Sequence, residues 1–126
     1  MADNDLKDEM VLFTRTYDFV SWLMPRAENF PRSQRFMVTK RLQDAALDFY
    51  ELILEANAYR GLDRWQKQRQ ADVALGKVRI YLRLCTQWEW LKPGQYRHAA
   101  EMVAEIGRLL GGWMKQTRQT TAPAEG

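Results

Sequence analysis

Apolar side chains recur every three or four positions in four stretches of the chain, the period of one face of an α-helix. The first stretch carries Leu6, Met10, Phe13, Tyr17, Val20, Met24 and Ala27. The second carries Val38, Leu42, Ala45, Phe49, Leu52, Ala56 and Tyr59. The third has Leu62 and Trp65, then Ala71, Ala74, Val78, Tyr81, Cys85 and Trp88. The fourth has Tyr96, Ala99, Val103, Ile106, Leu110 and Trp113. No stretch alternates strictly between apolar and polar residues, so no strand is expected.

The gaps between these stretches carry helix-start and helix-stop signals. Asn4 or Asp5 can cap the first helix. Pro25 removes a backbone donor and predicts a kink near the last turn, and Phe30-Pro31 ends that helix. Ser33 is the expected N-cap of the second helix and Gly61 its stop, with Asp63 capping the third. Pro93-Gly94 separates the third from the fourth. Residues 117–126 have no period and few bulky apolar side chains, and predict a disordered tail behind a single domain at 1–116. Short connections between long helices imply antiparallel neighbours. The expected fold is all-α, an up-and-down four-helix bundle.

Some apolar residues lie off the main stripes: Phe19, Trp22 and Leu23 in the first helix, Val73, Ile80, Leu84 and Leu91 in or after the third. With five tryptophans in 126 residues, this surplus predicts either a large core or a subunit interface. Gly107 and Gly111 stand one turn apart, followed by Gly112 and Trp113. Each glycine inside a helix costs about 1 kcal/mol relative to alanine. Close approach of another helix, or room for a large side chain, offsets that cost, so Gly107, Gly111 and Trp113 are expected at a packing contact within or between subunits. The segment is too polar for the membrane form of this motif.

The net charge is only +3, but residues 60–97 hold nine basic side chains against three acidic ones. Arg64, Lys67, Arg69, Lys77, Arg79 and Arg83 form a basic stripe of the kind that binds phosphate. Arg79 and Arg83 lie one turn apart, and Gly76 leaves their surroundings open. A solvated face, with these arginines paired to glutamates such as Glu101 and Glu105, explains the same pattern. The second helix opens on Arg32, Arg35, Lys40 and Arg41 and continues with Asp44, Asp48, Glu51 and Glu55. That order opposes the helix dipole, so its basic start suits a partner better than it suits the helix. No nucleic-acid-reading motif is present, and binding is expected to be to the backbone and salt-sensitive.

No catalytic constellation is found. His98 has no positioned nucleophile and reads as a rim residue. Cys85, the only cysteine, sits in an apolar run and reads as a buried thiol. No metal or cofactor site is expected. The acidic start MADNDLKDEM is not a secretory signal and no run is long enough for a membrane span, which together with the lone cysteine points to the cytoplasm.

Four segments taken in order carry a family likeness: Phe30-Pro31-Arg32-Ser33-Gln34-Arg35-Phe36; Ala46-Leu47-Asp48-Phe49-Tyr50-Glu51-Leu52-Ile53; Val78-Arg79-Ile80-Tyr81-Leu82-Arg83-Leu84; and Gln95-Tyr96-Arg97-His98 with Glu105-Ile106-Gly107-Arg108-Leu109-Leu110-Gly111-Gly112-Trp113. Over about residues 10 to 116 the chain resembles the accessory variability determinant (Avd) proteins of diversity-generating retroelements. Broader relatives are four-helix proteins encoded in intervening sequences of 23S ribosomal RNA. The resemblance implies a homopentameric barrel with a basic surface. It also implies binding to the retroelement's reverse transcriptase, its template RNA and cDNA in support of mutagenic reverse transcription, with no active site of its own. Arg79 and Arg83 match a pair of arginines implicated in partner and nucleic-acid contact. A four-helix RNA-associated protein of the intervening-sequence type, and a scaffold that binds only protein, are the alternatives.

Overall fold

The computed structural model describes residues 2–121, with side chains for residues 7–121. Four helices make up the fold: α1 (Ala2–Ala27), α2 (Val38–Ala58), α3 (Gly61–Gln87) and α4 (Pro93–Thr121), with a short 3-10 turn at Arg32–Gln34. Helix α1 packs on α2 and α4, and α3 packs on α2 and α4, while among the described residues the backbones of the diagonal pairs stay apart. The arrangement is a square of sequence neighbours, the up-and-down bundle that the short connections predict.

The core follows the expected stripes in α2, α3 and α4 but not in α1. There Leu12, Thr16, Phe19, Leu23 and Ala27 form the buried face while Met10 and Tyr17 of the expected stripe are exposed, because α1 carries two apolar faces at helical spacing and packing against α2 and α4 selects between them. Leu12, Leu23, Leu42, Ile53, Leu75, Leu82, Ile106 and Leu110 are fully buried. Alanines recur on the buried faces of α2 and α3, with Ala45, Ala46 and Ala56 on one helix and Ala71 and Ala74 on the other. Small side chains let two backbones approach closely, and this is the most extensively packed helix pair. Of the surplus apolar residues, Phe19, Leu23 and Leu91 belong to the core. Val73 and Ile80 do not, and remain 61% and 53% exposed.

The helix ends depart from expectation in ways that have local causes. Helix α1 already runs through Asn4 and Asp5, so neither is its cap; their side chains and that of Leu6 lie outside the described residues. The helix continues through Pro25 and stops two residues later, where little ladder remains to be broken. Ser33 does not cap α2: Pro31 opens the 3-10 turn instead, and α2 begins at Val38 behind Met37, with no side-chain cap. Gly61 does not end α2 but opens α3, its φ of +62° reversing the chain after extended Tyr59 and Arg60. Asp63 lies in the first turn of α3, where its charge suits the dipole, rather than at the cap. Helix α4 starts on Pro93, a favoured first position because its missing N–H would have no partner there. Gln95 Oε1 accepts the Lys92 backbone N–H at 3.0 Å. At the other end α4 extends past the expected boundary at 117. Thr117 continues the Trp113 stripe, is buried, and donates its hydroxyl to the Trp113 carbonyl at 3.0 Å. Of the expected tail, 117–121 is therefore helix, and residues 122–126 lie outside the described residues.

Helix α3 ends in a Schellman motif. The Trp90 N–H reaches the Cys85 carbonyl at 2.8 Å and the Glu89 N–H the Thr86 carbonyl at 3.0 Å. The left-handed position falls on Glu89, at φ 64°, where glycine is the usual occupant. Glu89→Gly should therefore stabilise the protein by about 1 kcal/mol, the cost of a left-handed L-residue, with a matching rise in the urea midpoint. An unchanged or lower midpoint would show that the Glu89 side chain compensates.

Cys85 is buried, and burial pushes its thiol from 9.0 up to about 11. Because the folded value is the higher one, the contribution to stability is whole below about pH 9 and is lost as pH rises through about 11. The folded protein should resist iodoacetamide at about pH 8 and react once urea unfolds it. Equal rates in the two states would show an accessible thiol.

Candidate nucleic-acid and partner interface

The six basic residues of the third helix do not form one surface. At 100° per residue, Arg79 and Arg83 sit about 40° apart on the edge of α3 that faces α4, whereas Lys77 lies about 160° around from Arg79. Lys77 and Arg69 are exposed. Lys67 faces α2 and pairs with Glu55 at 3.6 Å. Arg64 is held most firmly. Its Nε donates to the carbonyls of Ala56 at 3.0 Å and Tyr59 at 2.8 Å, and Nη2 donates to that of Asn57 at 3.3 Å. The same guanidinium stands 5.4 Å from the Trp113 ring centroid. Arg64 is thus the C-terminal cap of α2, with its Nε and Nη2 donors engaged within the chain.

What remains together is Arg79 and Arg83. They line a groove of about 190 Å³ between α3 and α4, with Leu82, Tyr96, Ala100, Val103 and Ala104. A second hollow shares Tyr96, Ala100 and Ala104 and extends the groove to Thr86, Pro93, Arg97 and Glu101. Among the described residues neither Arg79 nor Arg83 has an ion pair. The glutamates expected to neutralise them are elsewhere: Glu105 bonds Arg15 of α1 at 3.0 Å, and Glu101 stands at the far rim of the groove. Like charges one turn apart repel by a few tenths of a kcal/mol. Here that repulsion is left standing beside an open, partly apolar groove, an arrangement that an anionic ligand relieves.

Gly107 explains how Arg79 fits. A Cβ at this position would fall on Arg79 Nη2, and Leu75 Cδ2 would lie 3.6 Å away. The glycine thus makes room for a large side chain from the neighbouring helix. Gly111 differs, since a Cβ there would meet nothing within 4 Å in the chain. Trp113 is buried, edge-on to Phe13 with centroids 6.1 Å apart. His98 is exposed and rests against Trp22 at 5.2 Å between ring centroids. Among the described residues no three His, Cys, Asp or Glu side chains gather to hold a metal ion. No helix among them is long and apolar enough to cross a membrane.

The groove-lining residues Tyr96, Arg97, Ala100 and Ala104 were not singled out from sequence as site residues. The available signal is the small-residue series Ala100, Ala104, Gly107 and Gly111 at spacings of four, three and four. It marks a smooth helix face without saying what lies on it.

A family model described as bAvd-like matches residues 10–117. No curated protein matches. Among solved structures, a protein of unknown function from the S23 ribosomal protein family of Bacteroides thetaiotaomicron superposes with a TM-score of 0.78 at 19% identity, covering 86% of this chain and 98% of its own. At that identity the likeness is one of fold.

Gly107→Ala separates the roles of this site. The colliding atom is the free end of a flexible side chain, so the fold should tolerate the change and gain up to about 1 kcal/mol of helix propensity. Arg79 should be displaced from the groove, and RNA binding should fall with the melting temperature unchanged or raised. Binding equal to wild type would show that the position of Arg79 does not matter.

Proposed function

The chain belongs to the bAvd-like family, and from that premise we propose that it is a non-enzymatic accessory factor of a diversity-generating retroelement. In this reading it binds the element's reverse transcriptase and template RNA, and the cDNA made from it, and holds them together during mutagenic reverse transcription. One observation carries the reading beyond the family: Arg79 and Arg83 form an unneutralised pair in the α3–α4 groove. Their guanidinium groups suit phosphate oxygens by geometry as well as charge. Tyr96 beside them adds a ring on which a base can stack.

The assembly is a homopentamer in this proposal. Its support is the outer surface of the α2–α3 pair. Leu47 and Leu54 on α2, and Val73 and Ile80 on α3, are pairs seven residues apart that point away from the core and stay exposed. A face of this kind is covered when identical subunits close a ring. Gly111, open within the chain, sits on another face and allows close approach there. The protein acts inside the cell, where the element is transcribed.

Light scattering on the purified protein, with and without a structured RNA at low and high salt, tests assembly and binding together. The expected result is a pentamer that takes up RNA at low salt and releases it at high salt. Arg79→Gln with Arg83→Gln should keep helicity and assembly while lowering the salt slope of single-strand binding by about 1.4 per engaged subunit, the value for two lost phosphate contacts. A monomer that ignores RNA, or a double variant with wild-type slope, would overturn the reading.

A further inference from the structure

A cavity of about 370 Å³ opens where α1 hands over to α2, lined by Ala27, Glu28, Phe30, Pro31, Arg32, Arg35, Thr39 and Gln43. Its volume falls within the range of small-ligand clefts, about 300–1,000 Å³. Three features at or beside this cavity favour an anion. The first is the start of α2. Met37 occupies the N-cap without any side-chain hydrogen bond, and the first turn contains no acid. Its backbone N–H groups therefore present uncompensated positive charge. The second is the pair Arg32 and Arg35, both exposed and without ion pairs among the described residues. Lys40, by contrast, is taken up by Asp44 at 2.6 Å on the outer side of the helix. The third is Thr39 in that first turn. It is only 4% exposed, yet Oγ1 has no hydrogen-bond partner. A buried threonine in a helix ordinarily bonds the carbonyl one turn back, as Thr16 does to Leu12 at 2.8 Å. A hydroxyl left unpaired in a buried position is destabilising unless something supplies a partner.

We propose that this cavity binds a phosphate group presented by a nucleic-acid strand, with the Thr39 hydroxyl, the α2 amides and the Arg32 and Arg35 guanidiniums as donors. The single carboxylate on the lining, Glu28, is outweighed by the two arginines and the helix terminus. Phe36 is next to Arg35 in sequence and 81% exposed, and it offers the adjoining base a stacking surface. The site lies at the same end of the bundle as Arg83: the α1–α2 and α3–α4 connections meet there through Phe30 and Trp90, with ring centroids 5.7 Å apart. The nucleic-acid source rests on the accessory-factor reading. The phosphate chemistry does not.

Thermal unfolding of the full-length protein in sodium phosphate and in sodium chloride of equal ionic strength tests the phosphate site alone. Wild type should melt higher in phosphate. Thr39→Val keeps the shape, removes the unpaired hydroxyl, and should melt at or above wild type in chloride while losing the phosphate-dependent rise. Arg35→Gln should lose the rise as well. For a single-stranded oligonucleotide, Thr39→Val should weaken binding by about tenfold, and inorganic phosphate should compete in wild type but not in the variant. No phosphate-dependent rise in wild type, or an equal rise in Thr39→Val, would overturn the site. A rise that depends on Thr39 alongside unchanged oligonucleotide affinity would overturn the nucleic-acid source and leave a site for free phosphate. Absence of any oligonucleotide binding with the rise intact would count against the accessory-factor reading, and with it the strand as source, while upholding the phosphate chemistry.

Discussion

The capture of Arg64 by the end of α2 governs the geometry of the rest. Only residues 59–60 separate α2 from α3, and a turn that tight leaves the last carbonyls of α2 without helical partners. Arg64, in the first turn of α3, donates to the α2 carbonyls of Ala56 and Asn57 and to that of Tyr59 in the turn, and lies near Trp113 of α4. One side chain thereby ties together three helices. It also sets how α3 is rotated about its axis. With Arg64 turned inward at one end, the 3.6-residue repeat brings Arg79 and Arg83 to the edge that faces α4 and leaves Val73 and Ile80 outermost.

The groove is the consequence of that rotation. Arg79 lies across α4 at Gly107, where a Cβ would collide with it, and the flanking Ala100 and Ala104 keep the floor shallow. Glu105 could have neutralised an arginine from this face but is drawn to Arg15 on α1 instead. The two arginines are left with charge and no ion-pair partner among the described residues, in a low-lying surface where polar groups interact more strongly than in open water. Lys67 and Arg64 carry equal formal charge, yet are committed to Glu55 and to backbone carbonyls. Local pairing, more than the count of basic residues, decides which positive charges face outward.

The two ends of the bundle differ in character. At the end where α2 meets α3, the basic residue Arg64 is spent on structure. At the opposite end, Phe36 and Trp88 are exposed, Trp88 rests on Trp90 at 5.1 Å between ring centroids, and Arg32, Arg35 and Arg97 are unpaired among the described residues. Aromatic surface interleaved with free guanidinium groups is the combination that holds single-stranded nucleic acid, by stacking and by charge respectively. The unfavourable placement of basic residues at the start of α2 makes physical sense in this setting: the helix gives up dipole stabilisation where an anion would restore it.

How much of this was legible in the sequence depends on whether the signal was local. The four helices, their order and the stripes of α2, α3 and α4 were readable because spacing of three and four is a property of one chain segment. The pairing of Arg79 with Arg83 was readable for the same reason. The stripe of α1 was not, since Leu12, Phe19 and Leu23 share that spacing with Met10, Phe13 and Tyr17 and only packing buries the former. The helix ends were not, since a glycine at positive φ can close one helix or open the next, and Gly61 opens α3. Nor was the use of each basic residue. Arg64 as a cap, Lys67 as a partner of Glu55, and Gly107 as the seat of Arg79 all depend on atoms supplied by another helix. Thr39 shows the limit most clearly: nothing in its neighbours along the chain reveals a buried, unpaired hydroxyl, because burial arises only when α1, α2 and their connection fold onto one another. Sequence by itself determined that four helices form and in which order; tertiary structure alone decided which face of α1 turns inward and which of the outward charges were left unsatisfied, because those depend on distances between groups far apart in the chain.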